Sequence, residues 1–103
     1  MALSLKNTMV NLEFNGLNAG TSIYYDFSEN PYFKIINTLL LENNSGSDLI
    51  VIVNQTLKFI VPSNTSLKIE KKDNIRIKSL IFENIGVSNI LENELNAMVG
   101  YYE

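Results

Sequence analysis

Acidic side chains at short spacing are the first residues of this sequence whose types could do chemistry. The close acidic pairs are Asp26 with Glu29 and Glu92 with Glu94. Carboxylates two residues apart on a strand point to the same face, where together they could bind a cation. Calcium, however, takes roughly six to eight oxygen ligands, and neither pair lies in a calcium-loop spacing. The favoured interpretation is a solvated acidic surface, and we expect no metal site.

The sequence lacks the side chains on which most nucleophilic and metal chemistry depends. It contains no histidine and no cysteine, which excludes zinc sites, disulfides and the Ser-His and Cys-His catalytic pairs. A Ser-Lys pair stays formally open through Lys58, Lys68 or Lys78, but no motif supports it. The scattered glycines form no phosphate loop, and without tryptophan the acidic pairs are poor candidates for glycoside hydrolysis. We therefore expect no enzymatic activity and no cofactor.

Adjacent aromatic residues are the remaining candidates for binding. These pairs are Tyr24-Tyr25, Tyr32-Phe33 and Tyr101-Tyr102. Neighbouring residues of a strand point to opposite faces, so one ring of each pair points away from the domain's own core unless a second layer covers it. Outward tyrosines suit a protein interface or a carbohydrate platform, and a half-exposed ring can also have no specific role.

Length and composition are those of one folded domain. The chain has 103 residues, of which 46% are hydrophobic, and its net charge is −3. Its basic residues are scattered rather than aligned on one element, so nucleic acid is not an expected partner. No apolar segment has the length of a signal peptide or a membrane span. We accordingly expect neither secretion nor membrane insertion.

The strongest strand pattern runs from Asp48 to Glu70. Leu49 to Val53 are consecutive apolar residues, which suits a strand covered on both faces and predicts further cover from another subunit. Asn54-Gln55 predicts a two-residue turn, after which pairing resumes at Thr56. Leu57, Phe59 and Val61 then share one face. A turn at residues 62–65 leads to a third strand from Ser66, so the whole stretch predicts a β-meander.

Alternating patterns predict the remaining strands. They are Thr8 to Phe14, Thr21 to Phe27, Tyr32 to Glu42, Asn74 to Phe82 and Leu91 to Tyr101. Tyr32 to Glu42 has partly helical spacing, but its β-branched residues and flanking turns favour a strand. Near Ser79 the alternation slips, which predicts a bulge or a change of covering surface.

These patterns together predict the fold class. About seven to eight short strands without a helix are typical of an all-β, antiparallel β-sandwich that is jelly-roll-like. Residues 1–7 are predicted to form an N-terminal arm, and residues 8–103 a single β-sandwich domain.

The segment from Asn43 to Val61 and the segment from Ala97 to Glu103 resemble small β-sandwich virion structural proteins of tailed bacteriophages. The first runs from Asn43 to Val61, with a strand, a turn, a second strand and a Pro-containing loop before a third strand. The second is the ending Ala97-Met98-Val99-Gly100-Tyr101-Tyr102-Glu103. The resemblance implies a non-enzymatic virion protein of the head auxiliary or decoration type, or of the fibre- or baseplate-associated type. It has no catalytic residues to transfer.

The preferred hypothesis is a head auxiliary or decoration subunit that binds other virion structural proteins and forms a homo-oligomer. Its predicted interface residues are Leu3, Leu5, Tyr24, Tyr25, Tyr32, Tyr101 and Tyr102. The alternative is a carbohydrate-binding or receptor-binding module of a tail, fibre or baseplate that uses the same tyrosines. Neither hypothesis includes a nucleic acid, a membrane or a small-molecule ligand.

Overall fold

Eight strands form the sheets of the described part of the chain. A computed structural model describes residues 8–28 and 36–101. The strands are β1 (Thr8–Asn11), β2 (Ser22–Asp26), β3 (Thr38–Asn43), β4 (Leu49–Val53), β5 (Leu57–Val61), β6 (Thr65–Ile69), β7 (Ser79–Asn84) and β8 (Leu95–Tyr101). A short 3-10 helix, Lys71–Asp73, follows β6. The described part of the chain has no helix long and apolar enough to span a bilayer.

The strands form two four-stranded antiparallel sheets. The first sheet has the order β1-β8-β3-β6, and the second has the order β2-β7-β4-β5. Every connection except the β4–β5 hairpin passes from one sheet to the other, which is the double Greek-key arrangement of a jelly roll. The predicted all-β antiparallel sandwich is therefore confirmed. The predicted meander is wrong, because β6 pairs with β3 in the opposite sheet instead of with β5.

The core lies between the sheets and consists of alternate residues of each strand. In β4, Leu49, Val51 and Val53 are fully buried, and the inward residues of β8 are Leu95, Ala97 and Val99. Because successive strand residues point to opposite faces, residues two apart share this interior. Each leucine or valine among them contributes about 1.5–3 kcal/mol when its burial is complete.

The β4–β5 hairpin matches its predicted facing and differs slightly in its turn. Asn54 and Gln55 have positive φ angles of 54° and 64°, which the primed turns of tight hairpins require. Pairing resumes at Leu57 opposite Val53, one residue later than predicted. Phe59 points inward as expected, but it is only half-buried because β5 is an edge strand. The hairpin therefore contributes less to the core than its sequence suggested.

Strand β7 begins five residues later than the predicted strand 74–82. The Asn54 side chain explains the difference, because it binds the backbone that a longer strand would have used for pairing. Its Nδ2 donates to the Arg76 carbonyl at 2.7 Å, and its Oδ1 accepts the N–H groups of Lys78 and Ser79 at 2.6 and 3.3 Å. The slip of alternation at Ser79 is the start of the strand, not a bulge.

Strand β8 is also shorter than predicted. Residues 91–94 form a turn in which the Glu94 N–H donates to the Leu91 carbonyl, and the Leu91 N–H donates to Glu94 Oε1. Leu91 is 59% exposed because it lies in this turn, whereas Leu95 lies in the strand and is buried. Strands β1 and β2 lie within their predicted ranges, and β3 lies in the described part of the predicted strand 32–42 but ends one residue later, at Asn43. The predicted arm, residues 1–7, lies outside the described residues.

A set of hydrogen bonds at one end of the sandwich joins the two sheets. We call Asn43, Ser45, Ser47 and Asn84 the buried amide network; all four are at most 1% exposed. Asn43 Nδ2 in the first sheet donates to the carbonyls of Ser47 and Val61 at 2.9 and 3.1 Å. Ser47 Oγ donates to Asn84 Oδ1 in the second sheet at 2.6 Å, and Asn84 Nδ2 donates to the Leu17 carbonyl at 3.0 Å. Every buried polar side-chain atom of the described residues has a partner.

Candidate interaction surface

The outer face of the second sheet carries a continuous group of apolar side chains. The strand register places Ile81 beside both Tyr24 and Ile52, and it places Ile50 beside Ile60. Directly opposed residues of neighbouring antiparallel strands have Cβ atoms about 4.5–5.5 Å apart, so their side chains touch. We call Tyr24, Ile50, Ile52, Ile60 and Ile81 the isoleucine face. It spans all four strands of the sheet.

The exposure of the isoleucine face increases toward the two edges of the sheet. Ile60 on the edge strand β5 is 69% exposed, and Tyr24 on the edge strand β2 is 51% exposed. Ile50, Ile52 and Ile81, on the central strands, are half-buried by their neighbours. Adjacent apolar side chains on one outer surface mark interaction sites more often than scattered ones do.

Two charged residues and one hydrogen bond border this face. Lys58 lies beside Ile52, and Glu83 lies beside Ile50. Within the described residues, neither charge takes part in an ion pair. Gln55 Nε2 donates to the Tyr24 hydroxyl at 3.3 Å and restrains that ring. The face therefore combines apolar area with one free charge of each sign, which suits contact with another protein surface.

The predicted interface tyrosines that the structure describes, Tyr24, Tyr25 and Tyr101, do not form one surface. Tyr24 points outward, whereas Tyr25 packs inward against Phe82 with ring centroids 5.2 Å apart. The Tyr25 hydroxyl donates to the Glu13 carbonyl at 2.7 Å. Burial raises the pKa of Tyr25, and the Glu13 carboxylate raises that pKa further. Tyr25 is thus used for packing within the domain, and we leave it out of the proposed interface.

Of the other predicted interface residues, the structure describes Tyr101. Tyr101 is half-buried on β8 in the first sheet, opposite Thr8, so it does not share a surface with Tyr24. Leu3, Leu5, Tyr32 and Tyr102 lie outside the described residues. Sequence reasoning missed Ile60 and Ile81, which it treated as parts of apolar runs. The available signal was parity: Ile60 shares its face with Lys58 rather than with Phe59.

Of the four acidic candidates, Glu29 lies outside the described residues, and the other three lie in or beside turns. Asp26 Oδ1 accepts hydrogen bonds from the Ser28 N–H and hydroxyl at 2.9 and 2.6 Å, and these bonds lower the pKa of the Asp26 carboxyl. Glu94 is held in the turn by Leu91, and Glu92 belongs to the same turn rather than to a strand. Over residues 8–28 and 36–101, no group of three or more acidic side chains could hold a metal ion.

A polar cleft lies at one end of the sandwich, between the loops that follow β1 and β7. We call it the end cleft; its volume is about 800 Å³. Its polar lining includes Asn15, Asn18, Asn89, Glu92 and Asn93. Side-chain amides supply both donors and acceptors, which is the chemistry that recognises hydroxyl groups. No tyrosine lies in its described lining, so this cleft offers no stacking platform.

Comparison of the chain with protein-family models, with curated proteins and with solved structures finds no match.

Proposed function

We propose that the protein is a non-enzymatic structural subunit that assembles with other protein subunits, and that its place is the virion of a tailed bacteriophage. Within that class we propose the role of a head auxiliary or decoration subunit. The isoleucine face is the observation that carries the proposal. We expect the protein to contact other subunits through this face.

The physical argument begins with the cost of leaving these side chains in water. Burying an isoleucine completely contributes about 1.5–3 kcal/mol. Ile60 is mostly exposed in the isolated chain, so it contributes only a small part of this free energy. The core does not need these residues, because the inward positions of the same strands already fill it. A polar residue at each outward position would be as compatible with the sandwich. Contact with a partner is the role that explains apolar residues at these outward positions.

Three further observations support a structural role. Eight-stranded jelly rolls build viral capsid domains, although the same fold also builds lectins. The residues from Asn43 to Val61 and the C-terminal segment resemble phage virion proteins, as described above. The described residues offer no histidine, cysteine or metal cluster with which to assemble a reaction centre.

The first experiment measures self-association against concentration by sedimentation velocity. The chain mass is 11.6 kDa, and we expect species above that mass. Ile60→Ser removes the most exposed part of the isoleucine face and is expected to weaken association about tenfold, which corresponds to about 1.4 kcal/mol. Val87→Ser is the matched control, because Val87 is 97% exposed in a loop away from the face. Equal weakening by both variants would contradict the assignment of the face.

The second experiment tests the virion assignment. Particles produced from the genome that encodes this chain are purified and analysed by quantitative mass spectrometry. The proposal expects the protein at a fixed copy number per particle, and Ile60→Ser is expected to lower that number. Absence of the protein from purified particles would contradict the virion role. The predicted contact residues Leu3, Leu5, Tyr32, Tyr101 and Tyr102 are tested in the same way by substitution.

The alternative function is carbohydrate binding, and the end cleft is the observation that favours it. Its amide side chains suit hydroxyl groups, and its volume of about 800 Å³ lies within the roughly 300–1,000 Å³ range of ligand sites. A glycan array with the wild-type protein and with Asn93→Ala tests it. Binding that is lost in Asn93→Ala but kept in Ile60→Ser would favour this alternative over the structural role.

A further inference from the structure

Among the described asparagines, Asn15 is the one that is followed by a glycine. It is exposed, and it lies in the irregular segment between β1 and Leu17. Neither its side chain nor the N–H of Gly16 takes part in a hydrogen bond within the described residues. Both groups are therefore available for reaction with each other.

The reaction between these groups is an intramolecular cyclisation. The Gly16 backbone nitrogen attacks Cγ of Asn15, a C–N bond forms, and the side-chain nitrogen leaves as ammonia after it takes up the proton that the backbone nitrogen loses. Water then opens the cyclic succinimide and gives aspartate or isoaspartate at position 15. Glycine presents no Cβ to hinder the attack. Asparagine is among the thermolabile residues for this reason.

The structure protects most other described asparagines at the atom that would attack. The N–H of the following residue is already a hydrogen-bond donor in several cases. Ala19 after Asn18 donates to Asn89 Oδ1 at 2.9 Å, and Ser45 after Asn44 donates to Asn43 Oδ1 at 3.1 Å. The residues after Asn64, Asn84, Asn89 and Asn93 donate to backbone carbonyls.

Asn54 and Asn74 lack that protection at the following N–H but differ from Asn15 in other ways. The Asn54 side chain is held by three hydrogen bonds to the backbone of residues 76–79. Asn74 precedes Ile75, whose branched side chain hinders the approach of its own backbone nitrogen. Asn15 alone among the described residues combines a free side chain, a free following N–H and a following glycine.

The fold also requires the glycine. Gly16 has a φ of +106°, a conformation that residues with a side chain rarely adopt. A Cβ at this position would lie 3.3 Å from the Ile90 carbonyl oxygen, and Gly16 is held there by the bridge between Leu17 and Ile90. The fold therefore disfavours any residue other than glycine at position 16, next to Asn15.

We propose that Asn15 is a site of spontaneous deamidation in the folded protein. The product adds a negative charge to the end cleft, whose lining already contains Glu92. The described lining of the end cleft then contains two carboxylates in each modified chain, compared with one before modification.

The test uses the full-length wild-type protein, kept folded in mildly alkaline buffer and sampled over time. Peptide mapping by mass spectrometry is expected to show a gain of about 1 Da that is confined, among the described asparagines, to the peptide with Asn15. Labelling by an isoaspartyl methyltransferase should increase in parallel. Asn15→Gln is expected to abolish both signals, and the matched variant Asn74→Gln is expected to leave them unchanged.

A parallel sample in concentrated urea separates the contribution of structure from that of local sequence. In the unfolded chain, modification is expected to begin at other asparagines as well, because their protecting hydrogen bonds are lost. If the folded protein shows no mass gain at Asn15, or gains it first at another described asparagine, the proposal is overturned. Neither outcome depends on whether the protein assembles through the isoleucine face.

Discussion

The buried amide network and the isoleucine face reverse the usual distribution of residues. Asn43, Ser45, Ser47 and Asn84 are polar and lie inside, while the isoleucine face is apolar and lies outside. Each buried polar atom of the network is paired, so its burial is compatible with a stable fold. The apolar side chains outside have no such compensation in the isolated chain. The comparison teaches that the network stabilises the domain itself, whereas the face adds little to the isolated domain, which is why we propose it as the surface of association.

Removing the centre of the network is expected to have the largest effect. Asn84→Ala leaves four partners without it: the Ser47 hydroxyl, the Gly86 N–H, and the carbonyls of Leu17 and Ser88. A buried group left unpaired costs about 1–3 kcal/mol, so we expect a loss of about 3 kcal/mol or more in the free energy of unfolding, measured with urea. Asn96→Ala is the control, because Asn96 is exposed. Equal losses in both variants would remove the distinction between the two regions.

Crowding the same network is expected to have the next largest effect. A Cβ at Gly86 would lie 1.8 Å from Ser47 Oγ and 2.9 Å from the Asp48 backbone nitrogen. Overpacking of this kind costs about 1–3 kcal/mol, and we expect about 2 kcal/mol for Gly86→Ala in urea unfolding. Gly46→Ala is the matched control, since a Cβ there meets nothing within 4 Å. If Gly86→Ala were as stable as the wild type, the loop around residue 86 would have moved to accommodate the Cβ at little cost, and the expected loss would be contradicted.

Substitution of Tyr25 tests whether this inward ring contributes to stability, as the buried amide network does, or contributes little, as expected of the isoleucine face. Loss of its hydrogen bond to Glu13 in Tyr25→Phe is expected to cost about 1 kcal/mol at neutral pH. The pKa of Tyr25 is raised above its ordinary 10.0, so the folded state favours the neutral ring. That contribution is complete below pH 10.0 and is lost as the pH rises through the folded-state pKa. Unfolding measured across alkaline pH should therefore be less pH-dependent in Tyr25→Phe, and an unchanged dependence would contradict this.

The smallest expected effect on stability lies on the isoleucine face. Ile60→Ser should change the free energy of monomer unfolding by no more than about 0.5 kcal/mol, because Ile60 is mostly exposed. This small change, measured by thermal unfolding in dilute solution, contrasts with the tenfold weaker association expected of the same variant. A loss above about 1 kcal/mol in the monomer would show that Ile60 supports the fold, and the face would then resemble the network.

Local patterns were sufficient for most strand positions and for part of the candidate site. Alternation identified the inward residues of β8, and the unbroken apolar run of β4 predicted an apolar outer surface without showing which of its residues point inward. Tyr24 was predicted as an interface residue and is exposed. Ile60 and Ile81 could not be recognised, because their membership of one surface depends on which strands are neighbours. The start of β7 was missed for a similar reason, since Asn54 binds its preceding segment from a distant part of the sequence.

The amino-acid sequence by itself determined where the chain extends and where it turns, because these choices depend on neighbouring residues. Alternating apolar side chains favour strands, and Asn54-Gln55 accepts the positive φ angles that a tight hairpin needs. Only the tertiary structure decided which sheet each strand joins, and hence that β6 pairs with β3. It also decided that Asn43 and Asn84 are buried together. Such pairings join residues far apart in sequence, and they are selected by the packing of the whole core rather than by any local preference.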